Sequence, residues 1–270
     1  MDQKARSKKL RKALIKEVER VRSSSVAVPL SSGVDSHCAL FACLDAGVNP
    51  HVYSFHLEGV ESRDVRVAEE TANTFGLRFT RVTLPSDIET LKSDVVKLAK
   101  FGCVSKTDFE CFWPMKYLLP AIKEKALFTG HGADSLYCLS RKASQHFAGR
   151  EDEFRTDAFS SDASFQKRLI DKWCRKHNRI YCPIFFNRTV LALFQGTSPS
   201  DINKPVQKAI SRFAFPEYFE DVRIYNHQPF QLGDSGIRDH FENLLTTDLN
   251  VGGYKSVKGI YNELVRNYGG

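Results

Sequence analysis

Short apolar runs alternate with longer amphipathic segments along the first 130 residues. Apolar runs rich in β-branched and aromatic residues are typical of buried strands, whereas segments with one apolar side are typical of helices. The pattern predicts strands at residues 24–30, 51–57, 77–84 and 125–130, and helices at residues 35–46, 61–76, 88–100 and 115–125. Because strands alternate with helices, we expect a parallel sheet covered by helices on both faces. The predicted fold is therefore a doubly wound α/β fold.

The pattern changes after residue 140. Residues 140–162 are polar and have little periodicity, which predicts a mobile loop or a linker. From Phe165 onward the pattern is mainly helical, with interruptions at prolines. We therefore expect an α/β domain at residues 1–140, a loop or linker at residues 141–164, and a helical region at residues 165–270 that packs on the same core.

The composition is that of a soluble globular protein, with 42% hydrophobic and 26% charged residues. No run approaches the roughly 18 consecutive apolar residues that a membrane-spanning helix needs. The N-terminal segment is basic and lacks the apolar stretch and the cleavage site of a secretory signal. We expect a cytoplasmic protein without a membrane partner.

Two turns of small residues follow predicted strands, at residues 31–36 and 129–135. Ligands of parallel sheets bind beyond the carboxyl ends of the strands, which is where both turns lie. In the first turn a helix begins near Asp35, so backbone N–H groups and the positive helix end form an anion site. Gly33 permits a strained backbone and the close approach of a phosphate. Asp35 either holds Mg²⁺ against phosphate oxygens or caps the helix.

The first turn resembles a known phosphate-binding loop. Its sequence, Ser-Ser-Gly-Val-Asp-Ser, is similar to the S-G-G-x-D-S loop of the PP-loop ATPases, with Ser32 in place of the first glycine. It differs from the Walker P-loop, whose lysine is absent. The resemblance implies that ATP is cleaved between its α and β phosphates, giving an adenylylated substrate and pyrophosphate. The ATP-binding residues that it implies are Ser31, Ser32, Gly33, Val34, Asp35 and Ser36.

The second turn narrows the resemblance to asparagine synthetase and β-lactam synthetase. Residues 129–135 are similar to the S-G-E-G-x-D-E turn of these enzymes, and residues 179–185 and 203–210 resemble later segments of them. The residues that match in the turn are Gly130, Gly132 and Asp134. The resemblance implies an amide-forming ligase that adenylylates a small-molecule carboxylate and transfers the acyl group to ammonia or an amine.

The resemblance also implies roles for individual residues, with ATP and Mg²⁺ as cofactors. The implied roles are metal binding for Asp35 and Asp134, catalysis of adenylate formation for Asp134, nucleotide binding for Gly130 and Gly132, and adenine binding by the backbone of Ser54, Phe55 and His56. These residues all follow or end predicted strands, so we expect them at one edge of the sheet.

Several positions depart from the family pattern. His131 and Ser135 replace two glutamates of the second turn. His131 either packs between strand ends or acts as a general base toward the attacking amine. A lysine that the family carries on a late glycine-rich loop has no clear counterpart in residues 227–236. Lys204 or Lys208 can supply that charge, although a lysine in a helical segment is usually solvated.

The source of nitrogen also departs from the family pattern. Glutamine-using asparagine synthetases begin with a glutaminase domain whose N-terminal cysteine is the nucleophile, whereas residue 2 of this sequence is Asp. We therefore expect ammonia to come free in solution or from a separate glutaminase subunit. The attacking amine can also belong to the second substrate.

Two other functions stay open. One is an enzyme of the same fold that modifies a nucleic-acid base, which the net charge of +7 favours. Much of that charge lies in the first 22 residues, but a basic stripe of this kind is more typical of a solvated helix face than of a nucleic-acid-binding arm. The aromatic residues Phe109, Phe112 and Trp113 are also more typical of a core than of a base-stacking platform. The other function, an inactive nucleotide-binding module, is disfavoured by the intact first turn.

The seven cysteines include no C-x-x-C pair, which argues against a disulfide framework or a compact zinc site. We expect reduced and mostly buried thiols. Because sulfur-transfer enzymes with PP-loop domains can use paired cysteines, Cys103 and Cys111 are the alternative candidates for chemistry.

Overall fold

One sheet of five strands organises the fold. The computed structural model describes residues 2–23, 25–160, 165–225, 236–247 and 256–268. The strands are β1 (Val26–Pro29), β2 (His51–Leu57), β3 (Phe79–Leu84), β4 (Ala126–Thr129) and β5 (Ile180–Pro183), in the spatial order β3-β2-β1-β4-β5. Strand β1 pairs in parallel with β2 and β4, and β4 pairs in parallel with β5. The predicted doubly wound α/β fold is therefore confirmed.

Helices follow the strands along the chain. They are α1 (Gln3–Val21), α2 (Val34–Asp45), α3 (Arg63–Thr74), α4 (Ile88–Phe101), α5 (Lys106–Ala121), α6 (Ala133–Tyr137), α7 (Arg141–His146), α8 (Glu151–Phe159), α9 (Phe165–Lys176), α10 (Arg188–Phe194), α11 (Pro199–Asn203), α12 (Ala209–Arg212), α13 (Pro216–Glu220), α14 (Ile237–Thr247) and α15 (Val257–Tyr268). The predicted mainly helical character from Phe165 onward is confirmed for the described residues.

Three local predictions were wrong. The helix predicted at residues 115–125 begins at Lys106, after a capping box formed by Ser105 and Asp108. The polar segment at residues 140–162 contains helices α7 and α8 instead of a loop, because α8 buries Phe154 and Arg155. Strand β5 was not predicted, since it has only four residues, ends in a proline and exposes half of Ile180.

The chain forms two compact units, each of several segments. The first unit comprises Met1–Tyr53, Arg66–Thr80 and Lys123–His227, and the second comprises Ser54–Val65, Arg81–Ile122 and Gln228–Gly270. The division predicted near residues 140 and 165 does not coincide with these units. Residues 161–164 of the predicted linker lie outside the described part of the chain.

The first unit is built around helix α2. This helix buries Cys38, Leu40 and Phe41 and packs against α1, α12, β1 and β4. Helix α1 is amphipathic, and its apolar side packs against the same core. Leu10 and Leu14 are inaccessible to solvent there. The core therefore lies directly behind the turn that joins β1 to α2.

The second unit contains four packed helices, α4, α5, α14 and α15. Phe109 stacks on Phe241 with ring centroids 4.6 Å apart, and Trp113 is buried and donates its indole N–H to Asp94 at 2.9 Å. Phe112 is also inaccessible to solvent. The preferred interpretation of Phe109, Phe112 and Trp113 as core residues is confirmed.

All seven cysteines are free and buried, as expected for reduced structural thiols. Burial raises the pKa of Cys103 to about 12, so its thiolate is scarce at neutral pH. This disfavours the alternative in which Cys103 and Cys111 carry chemistry. Among the described residues, no helix combines the length and apolar character needed to cross a bilayer.

Candidate active site

The first turn joins β1 to α2 and leaves the helix end open. Gly33 is the N-cap of α2 and makes no side-chain capping bond, so Asp35 and Ser36 lie inside the first turn of the helix instead of at its cap. The alternative in which Asp35 or Ser36 caps the helix is therefore wrong. Backbone N–H groups without a partner at a helix N-terminus favour an anion, as predicted from the sequence.

Serine hydroxyls hold the turn in shape. The Ser31 N–H donates to Ser36 Oγ at 3.2 Å, the two hydroxyls lie 3.1 Å apart, and Ser36 Oγ donates to the Gly33 carbonyl at 3.1 Å. The Ser32 carbonyl accepts from the Tyr225 N–H at 3.2 Å. Ser31 and Ser36 therefore bond to the turn itself.

Gly33 does not need the conformational freedom that the sequence suggested. Its φ of −87° and ψ of 151° describe an extended backbone that any residue adopts. A Cβ atom at this position would meet only Ser31 Oγ, at 3.4 Å, which is ordinary contact. The expectation of a strained backbone at Gly33 was wrong, and its remaining use is to leave space beside the turn.

His37 supports the turn from behind, a role that the sequence pattern did not indicate. Its Nδ1 lies 2.9 Å from the Gly33 carbonyl oxygen, and its Nε2 lies 3.2 Å from Thr71 Oγ1. Burial lowers the pKa of His37 to about 4, so the ring is neutral and donates one N–H to the carbonyl. The only sequence signal is its place one turn after Gly33.

The second turn joins β4 to α6 and lies against the first turn. A Cβ atom on Gly130 would overlap the carbonyl carbon and oxygen of Asp35 and come within 2.8 Å of its Cβ. Gly132 has a φ of 96°, and a Cβ atom there would lie 2.8 Å from the Phe186 ring. Both glycines are therefore required, the first by close approach of the backbone and the second by its conformation.

Lys208 joins the two predicted aspartates. Its Nζ donates to Asp35 Oδ2 at 2.6 Å and to Asp134 Oδ1 at 2.9 Å. The lysine side chain is 3% exposed, that of Asp35 is 17% exposed and that of Asp134 is 56% exposed. Lys208 adopts a left-handed backbone just before α12, and its N–H donates to Asn203 Oδ1 at 3.0 Å. The structure therefore brings three of the predicted site residues together.

Tyr137 and Ser211 fix the orientation of the Asp35 carboxyl group. The Tyr137 hydroxyl donates to Asp35 Oδ1 at 2.9 Å and lies 2.7 Å from Ser211 Oγ. Both residues are inaccessible to solvent, and burial raises the pKa of Tyr137 far above its usual range. Neither spacing nor residue type indicates this role in the sequence, because Ser211 is 74 residues from Tyr137.

Burial and neighbouring charges have opposite effects on the pKa values of Asp35 and Lys208. Burial raises the pKa of Asp35, the Lys208 ammonium opposes this effect and the nearby Asp134 carboxylate adds to it, and the resulting pKa is about 6. Burial lowers the pKa of Lys208, but the two carboxylates outweigh it and raise the pKa above its ordinary value. The lysine is therefore charged, and it is the counter-ion of both aspartates.

His131 lies on the second turn and contacts the neighbouring strand. Its Nδ1 lies 2.9 Å from the Tyr181 hydroxyl. Burial lowers the pKa of His131 to about 4, and Asp134 only partly offsets this effect. The imidazole is therefore neutral at pH 7, which a general base requires, but its basicity is low.

The roles of Lys204 and of the residues expected to bind adenine stay predictions. The side chain of Lys204 is exposed, and its carbonyl accepts from Gln3 Nε2 at 2.9 Å, so the geometry favours Lys208 over Lys204. Ser54, Phe55 and His56 belong to the second unit, where they continue β2. Their contact with adenine stays a prediction. In residues 227–236 only Gly236 lies within the described residues.

The two aspartates fit Mg²⁺ only together with a phosphate ligand. In the part of the chain that the structure describes, no group of three or more His, Cys, Asp or Glu side chains could hold a metal ion. Mg²⁺ commonly binds one or two carboxylates together with phosphate oxygens and water. Asp35 and Asp134 already face one cation, the Lys208 ammonium, and hard carboxylate oxygens suit Mg²⁺.

The fold and the site together define an ATP-using enzyme of the ATP pyrophosphatase type. A family model for asparagine synthase matches residues 9–195, which is more than half of the chain. The chain therefore belongs to the asparagine synthase family, as the two turns predicted. A comparison with curated proteins found no match.

Solved structures give more distant matches. A protein described as a predicted subunit of tRNA methyltransferase from Methanocaldococcus jannaschii is 18% identical with a TM-score of 0.36, and the match covers 77% of this chain and 96% of that one. NMN synthetase from Francisella tularensis is 12% identical with a TM-score of 0.37, and the match covers 85% of this chain and 99% of that one. These similarities are too weak to carry an argument about substrate.

Proposed function

We propose that this chain is an ATP-dependent, amide-forming ligase. It adenylylates a small-molecule carboxylate, releases pyrophosphate, and transfers the acyl group to ammonia or an amine. The observation that supports this function best is the buried Lys208 ammonium, held between Asp35 and Asp134 where the turns after β1 and β4 meet. Such an arrangement suits a reaction in which negative charge develops on a leaving pyrophosphate.

The first half-reaction uses the turn at residues 31–36. Its backbone N–H groups and the hydroxyls of Ser31 and Ser36 bind the phosphates that leave as pyrophosphate. The substrate carboxylate attacks the α-phosphorus, and the bond from that phosphorus to the oxygen bridging toward the β-phosphate breaks. Lys208 then donates to a phosphate oxygen and neutralises the developing charge. Mg²⁺, held by Asp35 and Asp134, would supply further charge neutralisation.

The second half-reaction forms the amide. The amine nitrogen attacks the acyl carbon, AMP leaves, and the nitrogen loses a proton. His131 is neutral and lies on the same turn as Asp134, so we assign it the role of proton acceptor. The nitrogen comes from ammonia or from an amine of the second substrate.

ATP should yield AMP and pyrophosphate, and Asp35→Asn should slow their formation by about 10²-fold. The asparagine keeps the shape of the side chain and can still contact Tyr137, but it loses the charge that faces Lys208 and Mg²⁺. Chromatography of the nucleotides after incubation with candidate carboxylates measures both outcomes. Sustained formation of ADP by the purified protein would contradict the proposed function.

Asp134→Ala and His131→Ala should separate the two half-reactions. Loss of Asp134 removes one carboxylate from the phosphate side, so exchange of pyrophosphate into ATP should fall. Loss of His131 should leave this exchange intact and slow amide formation by about 10²-fold, the low end for a general base because its pKa is low. Exchange and product formation are measured on the same preparations.

Two outcomes would contradict the role of His131 as proton acceptor. If both rates stay unchanged, the histidine is structural and only packs against Tyr181. If exchange falls as well, His131 takes part in nucleotide binding. Tyr181→Phe is a useful companion variant, because it removes the hydroxyl that contacts His131 Nδ1 and keeps the ring.

A further inference from the structure

Helix α1 carries a regular row of exposed lysines. Lys4, Lys8, Lys12 and Lys16 follow one another at every fourth position, and all four side chains are exposed. Residues four apart lie on neighbouring turns of the same helix face. We call these four residues the lysine ridge. It extends for about 18 Å along the helix axis.

The lysine ridge holds an excess of positive charge, because no acidic residue lies between Lys4 and Lys16 in the sequence. Among the described residues, none of its four lysines forms an ion pair or a side-chain hydrogen bond. The first 22 residues contain nine lysines and arginines and three acidic residues, so they carry almost the whole net charge of +7. A solvated helix face usually mixes both signs, whereas this face has one sign along three turns.

The helix beneath the ridge is fixed to the first unit. Its opposite side packs on α2, α10 and α12, and Arg11 bonds to Asp45 at 2.6 Å and to Glu217 at 2.5 Å. Gln3 Nε2 donates to the carbonyls of Asp201 and Lys204, each at 2.9 Å. The apolar side of α1 is therefore buried and is not free to enter a membrane.

We propose that the lysine ridge binds the phosphate backbone of a nucleic acid strand. A row of evenly spaced ammonium groups complements the evenly spaced phosphates of a strand, and lysine recognises phosphate as a point charge without reading sequence. The ridge lies on a fixed surface, so little ordering is needed when a strand binds. A solvated helix face without a ligand, which the sequence pattern favours, is the alternative that the measurements below distinguish.

The inference does not depend on the proposed function. The lysine ridge contains none of the residues assigned to ATP or to the reaction. Exchange of pyrophosphate into ATP should therefore be the same with and without the ridge lysines. If the protein fails to bind nucleic acid but exchanges pyrophosphate normally, only the inference about the lysine ridge fails. If it binds nucleic acid through the ridge but does not exchange pyrophosphate, only the proposed function fails.

The first measurement is the affinity of the full chain for a labelled single-stranded RNA of mixed sequence, about 20 nucleotides long, by fluorescence anisotropy. Four lysine–phosphate contacts predict that the logarithm of the association constant falls with the logarithm of salt concentration with a slope of about −3. The range from about 50 to about 200 mM KCl suffices to measure it. If the RNA does not bind at the lower salt concentration, the inference is wrong.

The second measurement compares two triple variants with the same change of net charge. Lys8→Gln, Lys12→Gln and Lys16→Gln together should weaken RNA binding at least about tenfold and reduce the slope by about 2. The control variant changes three exposed lysines on α4 and α9, Lys97→Gln, Lys100→Gln and Lys176→Gln. It should leave the affinity for RNA and the salt slope unchanged. Equal losses in the two variants would mean that only overall charge matters and would overturn the inference.

Other polyanions test the choice of partner. Vesicles of phosphatidylserine and phosphatidylcholine, and poly-glutamate, are titrated under the same conditions. We expect both to bind more weakly than the RNA and to show no difference between the two triple variants. Tighter, ridge-dependent binding of either one would assign the lysine ridge to a membrane or to an acidic protein and would overturn the inference.

Discussion

Lys208→Met should lower the rate of pyrophosphate exchange into ATP by about 10³-fold. Removal of one preorganised group that stabilises developing charge costs roughly 10²- to 10³-fold, and Lys208 also balances two carboxylates. Methionine has a similar length and an apolar end, so the space stays filled. The fold should lose at most about 3 kcal/mol, because the burial of Asp35 lets its carboxyl group take up a proton once the ammonium is gone.

The matched control is Lys204→Met, four residues earlier. Its side chain is exposed and makes no bond among the described residues, so exchange and thermal unfolding should both match the wild type. Lys208→Arg keeps the charge with a different shape and should retain more activity than the methionine variant. If Lys204→Met lost the activity and Lys208→Met kept it, the assignment of the catalytic lysine would be wrong.

Gly130→Ala should both destabilise the protein and remove exchange activity. The new Cβ atom would overlap the backbone of Asp35, which cannot move without displacing the start of α2. Overpacking of this kind typically costs about 1 to 3 kcal/mol. Since each kcal/mol lowers Tm by about 2 to 4 °C in a protein of this size, we expect a decrease of roughly 2 to 12 °C. Exchange should fall by at least about 10³-fold, because Asp35 and the phosphate turn are displaced together.

Gly33→Ala provides the comparison for Gly130→Ala. Its Cβ atom would make only ordinary contact and its backbone is extended, so the melting temperature should stay within about 2 °C of the wild type. Activity can still fall, since the added methyl group faces the space assigned to phosphate. A stable Gly130→Ala protein with normal exchange would show that the two turns do not need this close approach.

The sheet could be predicted because its first four strands are short runs that contain β-branched or aromatic residues, and turns of small residues follow β1 and β4. Strand β1, for example, has Val26, Ala27 and Val28 fully or almost fully buried, and such a run has few other uses. The start of α5 was missed because Pro114 and Pro120 inside the helix indicate a break. Helix α8 was missed because its stability comes from tertiary contacts: Arg155 bonds to the carbonyls of Leu136 and Thr197, which are distant in sequence.

The part of the candidate site that the sequence predicted is the pair of turns after β1 and β4. The resemblance to the family pointed to Gly130, Gly132 and Asp134, and the close approach at Gly130 and the positive φ at Gly132 explain why glycine stands at both positions. The burial of Lys208 was not predictable, because the segment around it gives no periodic signal and lysines are mostly solvated. Nor was the bond from Tyr137 to Asp35, which depends on how α6 and α2 meet in space.

The close approach at Gly130 limits which substitutions near the two turns would disturb them. Main-chain contact sets the distance between the two turns, and side chains at positions 131 and 135 are not needed for it. Substitutions at positions 131 and 135 can therefore leave Asp35 and Asp134 in place. Under the proposed function, single substitutions at these positions can change the selectivity for the amine while the geometry of the backbone keeps the two turns in place.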